Sequence, residues 1–318
     1  MLLFVMGIGF AQTRDDAAGL IQAVADSAAN PTNWRIEGTI EYSGSNPGDK
    51  ATEQFKILQS PDKTRFEQAG DRAPAVIVCN GADAWIYSLP LRRYRKEPSD
   101  GNKLCSPFVG DWKRLPITIQ SPKVAGACGP DPKVKAPGDK LVRGFFEPEI
   151  ASAGRITRTL CIDEDRKLIV WEKWASRYGS RTYTYFRIDH PVGFPASDFA
   201  FHPPPGSLAT DFDLPAPRPM GTLAMPHGPE ISVPRLVFEK EPTYGPASRA
   251  AGLQGTVVLY VVIGTNGAPL EVLVYRPLSP DLDAQAVNAV RQWRFKPATK
   301  NGSPIALAVE IEVNFQLR

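Results

Sequence analysis

Hydrophobic and polar residues alternate cleanly in two widely separated stretches of the chain. In the first, Trp34, Ile36, Gly38, Ile40 and Tyr42 point one way and Arg35, Glu37, Thr39 and Glu41 the other, the period-two pattern of a half-buried strand. Near the far end, Ile305, Leu307, Val309, Ile311, Val313, Phe315 and Leu317 alternate with Ala306, Ala308, Glu310, Glu312, Asn314 and Gln316, which predicts one long strand. Shorter strand runs lie between them, at about 51–59, from 65, at 75–79, at 85–87, 155–162, 167–174, 181–189, 252–263 and 270–276. Pro61-Asp62, Asn80-Gly81, Asn266-Gly267 and Asn301-Gly302 supply turns between several of them, and at Asn266-Gly267 the expected form is a type I′ turn with two positive-φ residues. Helical spacing occurs twice. Residues 13–29 carry Leu20, Val24 and Ala28 behind a Thr13 cap and two early aspartates. Ser279-Pro280 opens a second helix with Leu282, Ala286, Val290 and Trp293 along one side. Residues 98–140 read as irregular, with a short helix near 108–115.

The many turns fit a composition of 31 prolines and 26 glycines and a mainly antiparallel β architecture of α+β class. A length of 318 residues predicts two domains, and eight prolines between 202 and 230 mark an extended linker. The division is therefore 12–201, linker 202–230, and 231–318. Residues 1–11 are apolar or glycine, too short to span a bilayer and of signal-peptide length. Export to the periplasm is the expectation, with a membrane anchor as the alternative if the true start lies upstream. Four cysteines then imply two disulfides. Three pairings are open; Cys105–Cys128 with Cys79–Cys161 is favoured, two buried thiols being the alternative for the second pair.

A net charge of +3 gives no case for nucleic acid as a partner. The run Arg92-Arg93-Tyr94-Arg95-Lys96 reads as a solvated strand end, and Asp163-Glu164-Asp165-Arg166 as a charged hairpin turn. The three histidines neighbour proline or glycine, and no nucleophile, metal-ligand or phosphate-loop motif occurs. No catalytic residue, metal or cofactor is expected.

Two resemblances add to this reading. The run from Phe55 through Ser60-Pro61-Asp62 to Phe66, followed by Asn80-Gly81-Ala82-Asp83-Ala84-Trp85-Ile86-Tyr87, resembles the outer-membrane lipoprotein carrier (LolA-like) family; Phe201-His-Pro-Pro-Pro-Gly206 resembles the end of the same domain. That resemblance implies an incomplete antiparallel barrel with a helical lid over residues 13–210, and an apolar cavity for an acyl chain or lipoprotein. Trp34, Ile36, Tyr42, Phe55, Phe66, Trp85 and Tyr87 are the cavity candidates; an ordinary packed core is the competing use of the same residues.

Residues from about 230 to 318 resemble the C-terminal domain of the TonB family. Tyr244-Gly-Pro246 corresponds to its Tyr-Pro with one glycine inserted, Ala247–Ala251 to its first short helix, Gln254-Gly-Thr-Val257 to the start of its first strand, and Trp293-Arg-Phe-Lys-Pro297 to its Trp-Arg-aromatic-x-Pro. The resemblance implies a small three-stranded antiparallel sheet with two helices. Its last strand, here Val309, Glu310, Ile311, Glu312, Val313, Asn314 and Phe315, would be an edge that accepts the extended peptide of an outer-membrane transporter or another envelope protein. Energy transduction in that family needs an inner-membrane anchor helix, and none reads in this chain, so docking alone is expected. The alternative is an envelope scaffold with a filled barrel and a tail that forms a homodimer.

Overall fold

The computed structural model describes residues 12–29, 32–44, 50–70, 74–99, 105, 116, 119–128, 140–146, 156–176, 179–214 and 231–317. The expected signal segment 1–11 and the expected helix near 108–115 lie outside them. After helix α1 (Gln12–Ala29) the chain forms β1 (Trp34–Gly44), β2 (Ala51–Gln59), β3 (Thr64–Ala69), β4 (Ala75–Cys79), β5 (Asp83–Ser88) and β6 (Arg93–Pro98). There follow β7 (Gln120–Ala127), β8 (Lys140–Phe146), β9 (Ile156–Asp163), β10 (Leu168–Ser176), β11 (Gly179–Asp189) and the two-residue β12 (Leu208–Ala209). All twelve join one sheet in the order β12-β6-β5-β4-β3-β2-β1-β11-β10-β9-β8-β7. Two antiparallel meanders thus meet where β1 pairs with β11, and only β12 runs parallel to its neighbour.

One face of this sheet wraps α1. Ala17, Leu20, Ile21, Val24 and Ala28 pack on Trp34, Ile36, Ile40, Phe55 and Ile57 from one meander and on Ile156, Leu160, Ile162 and Tyr185 from the other. Gly38 is required here. A Cβ at that position would lie 2.3 Å from the Thr184 carbonyl oxygen and 2.7 Å from the Phe55 ring, so the ring occupies the place a side chain would take. Mostly antiparallel strands with a lid helix make up the expected fold class.

The second unit contains β13 (Ile231–Ser232), β14 (Arg235–Phe238), helix α2 (Pro246–Ala250), β15 (Gly255–Ile263), β16 (Pro269–Arg276), helix α3 (Pro280–Val290), β17 (Arg294–Lys296), β18 (Ala298–Lys300), β19 (Ser303–Ile305) and β20 (Leu307–Phe315). Its main sheet has the order β16-β15-β20. Ser279 caps α3 by accepting from the Leu282 N–H at 3.3 Å. Leu282, Ala286, Val290 and Trp293 are all buried against Val257, Leu259, Val261 and Ile263.

Three expectations change. Cysteines pair 79–105 and 128–161, in place of 105–128 and 79–161. β4 and β9 are six strand steps apart, ~29 Å at ~4.8 Å per step. Cys79 also shares the α1 side with Ile77, whereas Cys161 is in register with Trp171 on the reverse side; a bridge needs Cα atoms within about 7 Å. The Asn266-Gly267 turn is not type I′: only Gly267 has positive φ (78°), and the Gly264 carbonyl accepts from the Gly267 N–H at 2.9 Å. This is the three-residue loop with a left-handed glycine. A Cβ on Gly267 would meet the Phe295 carbonyl oxygen at 1.8 Å. Asn301 and Gly302 both have positive φ, at 50° and 83°. The stretch 98–140, read as irregular, contributes β7. Leu208 and Ala209 add to β6, with the Leu208 N–H donating to Arg92 and the Thr210 N–H to Tyr94.

Candidate functional site

β20 pairs with β15 over nine residues, from Gly255 opposite Phe315 to Ile263 opposite Leu307. It is terminal in its sheet and has no second strand partner among the described residues. All seven residues from Val309 to Phe315 lie on it. Val313 and Phe315 are buried beneath α3's side of the sheet, Val309 and Ile311 are half-buried there, Leu307 is buried, and Glu310, Glu312 and Asn314 are exposed. The strand is therefore anchored by its ends and core-facing residues while one backbone border faces outward. Glu312 stands 3.7 Å from Arg276 in an exposed ion pair, a contact of small energetic weight.

The opposite border, β16, is differently placed. Its Glu271 carboxylate meets the Arg93 guanidinium of β6 at 2.9 Å. On the sheet face away from α3, Val258, Tyr260, Val262 and Tyr275 are each at most 4 % exposed, packed with Leu91 of the half-barrel and with Phe212 and Leu214. The Tyr260 hydroxyl donates to the Asp213 carbonyl, and Arg95 reaches the Asp213 carboxylate. Burial pushes both tyrosines' phenols well above their ordinary range, with Asp213 adding to the effect at Tyr260 and Glu310 at Tyr275. The run 92–96, read as a solvated strand end, is therefore a clasp between the two units. A signal for it was present: Val257–Ile263 is apolar without a break, the signature of a strand buried on both faces, which a sheet covered by helix on one side only does not need.

The cavity candidates separate into two groups. Trp34, Ile36 and Phe55 are in the core beneath α1, and Tyr42 and Phe66 pack against that core half-buried. Trp85 and Tyr87 lie on the other face. Trp85 is in register with Val78 and Lys96, whereas Phe66, Ile77 and Ile86 are in register with one another. They pack on Phe201, at centroid distances of 6.3 and 6.1 Å. One cavity cannot be lined by all seven, because successive strand residues point to opposite faces.

Sequence reading missed a charged group inside the half-barrel. The Arg158 and Glu172 side chains are 0 % exposed and 2.7 Å apart. Glu172 also accepts from the Tyr185 hydroxyl at 2.5 Å and from the Trp174 indole N–H at 3.1 Å, and the Arg158 guanidinium lies over the Trp174 ring, 4.2 Å from its centroid. Burial, reinforced by Glu172, holds the Tyr185 phenol well above its usual range, so it remains a donor. Among the described residues, no group of three His, Cys, Asp or Glu could hold a metal ion, and no helix is long and apolar enough to cross a membrane.

Comparison with known proteins agrees with the geometry of the second unit. TonB of Xanthomonas campestris pv. campestris is 42 % identical over 77 residues, which is 24 % of this chain and 34 % of that protein. TonB of Vibrio cholerae is 29 % identical over 89 residues, 27 % of this chain and 36 % of that protein. The chain thus spans about a third of the length of the curated relatives it matches. Among solved structures, the lipoprotein LppX of Mycobacterium tuberculosis overlaps 56 % of this chain and 98 % of its own (13 % identity, TM-score 0.33). A LolA superfamily protein of Nitrosomonas europaea overlaps 60 % and 99 % (8 % identity, TM-score 0.29). Residues 240–317 match the family model described as Gram-negative bacterial TonB protein C-terminal, so the unit that carries the free β20 border is a TonB-type C-terminal domain.

Proposed function

We propose that this chain is a periplasmic docking protein of envelope transport. In this reading a half-barrel (12–201), a connecting segment (202–230) and a docking domain (231–318) act in series. The docking domain receives an extended segment of an outer-membrane transporter, or of another envelope protein, as a fourth strand beside β20. One observation carries the reading: in a domain that matches the TonB C-terminal family, the β20 border is open while the β16 border is tied to the half-barrel through Glu271 and Tyr275. An open border offers N–H and C=O groups that an incoming strand satisfies at little sequence cost. Val309 and Ile311 give that strand apolar contacts, and Glu310, Glu312 and Asn314 keep the border soluble until it arrives.

All four native cysteines are in disulfides, so a cysteine introduced at 310, 312 or 314 is the single free thiol. A transporter peptide scanned with cysteine is expected to crosslink in a ladder. Each two-residue step along β20 should shift the preferred peptide position by two. Absence of any ladder, or a ladder only on β16, overturns strand addition at this border; crosslinks between copies of the chain at 312 would favour the dimerising scaffold.

The half-barrel is proposed to hold an acyl chain against Trp34, Ile36, Tyr42, Phe55 and Phe66. Leu20, Ile21 and Val24 of α1 occupy that face, so the chain would have to displace the helix, gaining ~0.8 kcal/mol per buried CH₂. Native mass spectrometry of the full chain from envelope extracts is expected to show an adduct of acyl mass. Its repeated absence assigns the half-barrel as a packed scaffold.

A further inference from the structure

The docking domain has a second open border. β14 forms a two-stranded sheet with β17, pairing Arg235 with Lys296 and Leu236 with Phe295. The far side of β17 is engaged, because the Phe295 N–H donates to the Gly267 carbonyl at 2.9 Å. Among the described residues β14 is therefore the outer strand, and all four of its residues are exposed. Apolar side chains dominate it: Leu236 is 44 % exposed, Val237 71 % and Phe238 52 %. Val237 is the extra residue of a bulge and has no partner position on β17. A two-stranded sheet is marginal in water, and large apolar groups on an outer strand invite pairing unless charges interrupt them.

The charges sit at the ends. Arg235 precedes the apolar triplet and Glu239 follows it, and among the described residues neither is in an ion pair. This pattern is its own complement. Two copies laid antiparallel about Val237 place Arg235 against Glu239 twice, Leu236 against Phe238 twice, and Val237 against itself. Shifting the centre to Leu236 sets Arg235 against Val237. Shifting it to Phe238 sets Leu236 against Lys240 and Val237 against Glu239. Only the Val237 centre matches both charge and hydrophobicity. Pro234 has no N–H to give, which ends the ladder on one side.

We propose that β14 is a self-pairing edge through which two copies of this chain associate about a two-fold axis centred on Val237. The interface is isologous, as closed dimers require, and separate from β20, so it stands or falls independently of the docking reading. A ladder of about five residues buries less than the ~1,200 Å² usual for stable complexes, so the association is weak and concentration-dependent.

Analytical ultracentrifugation of the full chain tests it. The expected result is a mass that doubles with rising concentration. Val237→Lys, which sets two cations face to face, should hold the chain at monomer mass throughout. Arg235→Glu and Glu239→Arg should each do the same, and an equimolar mixture of those two variants should recover the dimer, because every facing pair is then of opposite sign. A wild-type chain that stays monomeric up to ~1 mM, the weak end of specific binding, overturns the proposal. So does a dimer that survives Val237→Lys, or a mixture of the two charge variants that stays monomeric.

Discussion

Replacing Arg158 with alanine is expected to cost the half-barrel about 3–5 kcal/mol, because it leaves a carboxylate buried without its cation. Glu172 is 0 % exposed and has Arg158 at 2.7 Å, and its two neutral donors, Tyr185 and Trp174, cannot replace a full charge. For a domain of this size the loss corresponds to a fall in Tm on the order of 10 °C or more, a large part of a typical total stability of about 5–15 kcal/mol. Trp34, Trp85, Trp171 and Trp174 all lie in this unit, so tryptophan fluorescence follows its transition in a urea titration. Removing the pair together, as Arg158→Met with Glu172→Leu, should cost less than the sum of the two single losses, because the partners act as a unit. No uncompensated charge remains, although the Tyr185 hydroxyl and the Trp174 indole each lose an acceptor, at about 1–3 kcal/mol apiece. Losses that simply add would mean that water or a rearranged donor satisfies Glu172 once Arg158 is gone.

Local patterns carried the parts of this fold that local physics decides. β1 and β20 were legible because one face of each is buried and the period of two survives along their length. The Ser279-Pro280 start of α3 was legible because a cap needs only neighbours in sequence, and the Ser279 oxygen does accept from Leu282. β7, by contrast, contains Ser121, Pro122 and Gly126 and pairs with β8 through two register shifts; its strand state is imposed by the neighbouring strand. Trp85 and Tyr87 read as cavity residues because a motif gives position and not face; the ladder through Val78 turns them away from α1. The disulfide pairing depended on how β1 joins β11, a contact between residues about 150 apart in sequence that nothing in either strand announces.

The same distinction applies to the docking domain. Its open border was legible as an alternating strand, but its attachment to the half-barrel was not, because Leu91, Arg93, Phe212 and Asp213 are unremarkable one at a time. Together they cover a sheet face that in a tethered module would be wet. The consequence is directional: the border nearest the half-barrel is engaged, and the remote one has no strand partner among the described residues.

Replacing Trp293 with alanine should remove the docking domain and leave the half-barrel. The Trp293 ring is 6 % exposed within the cluster formed by α3, β15 and β20, and its indole N–H donates to the Lys240 carbonyl at 2.9 Å. Truncating a buried tryptophan costs about 3–5 kcal/mol, more than a core of this size can lose without unfolding under mild stress. Val313 and Phe315 belong to the same cluster, so β20 loses its footing and strand addition should disappear with it. β15 also supplies Val258, Tyr260 and Val262 to the contact with Leu91, so the clasp should open as well. Amide exchange resolves each step. Protection should fall across β15 and β20, and then at Leu208 and Thr210, whose N–H groups hold the connecting segment on β6. It should persist in β1, β2 and β11, whose core with α1 contains none of the residues at the clasp. Equal loss in β1 and β20 would mean that the two cores unfold as one cooperative unit, and the half-barrel could then not stand as a domain without the docking unit beside it.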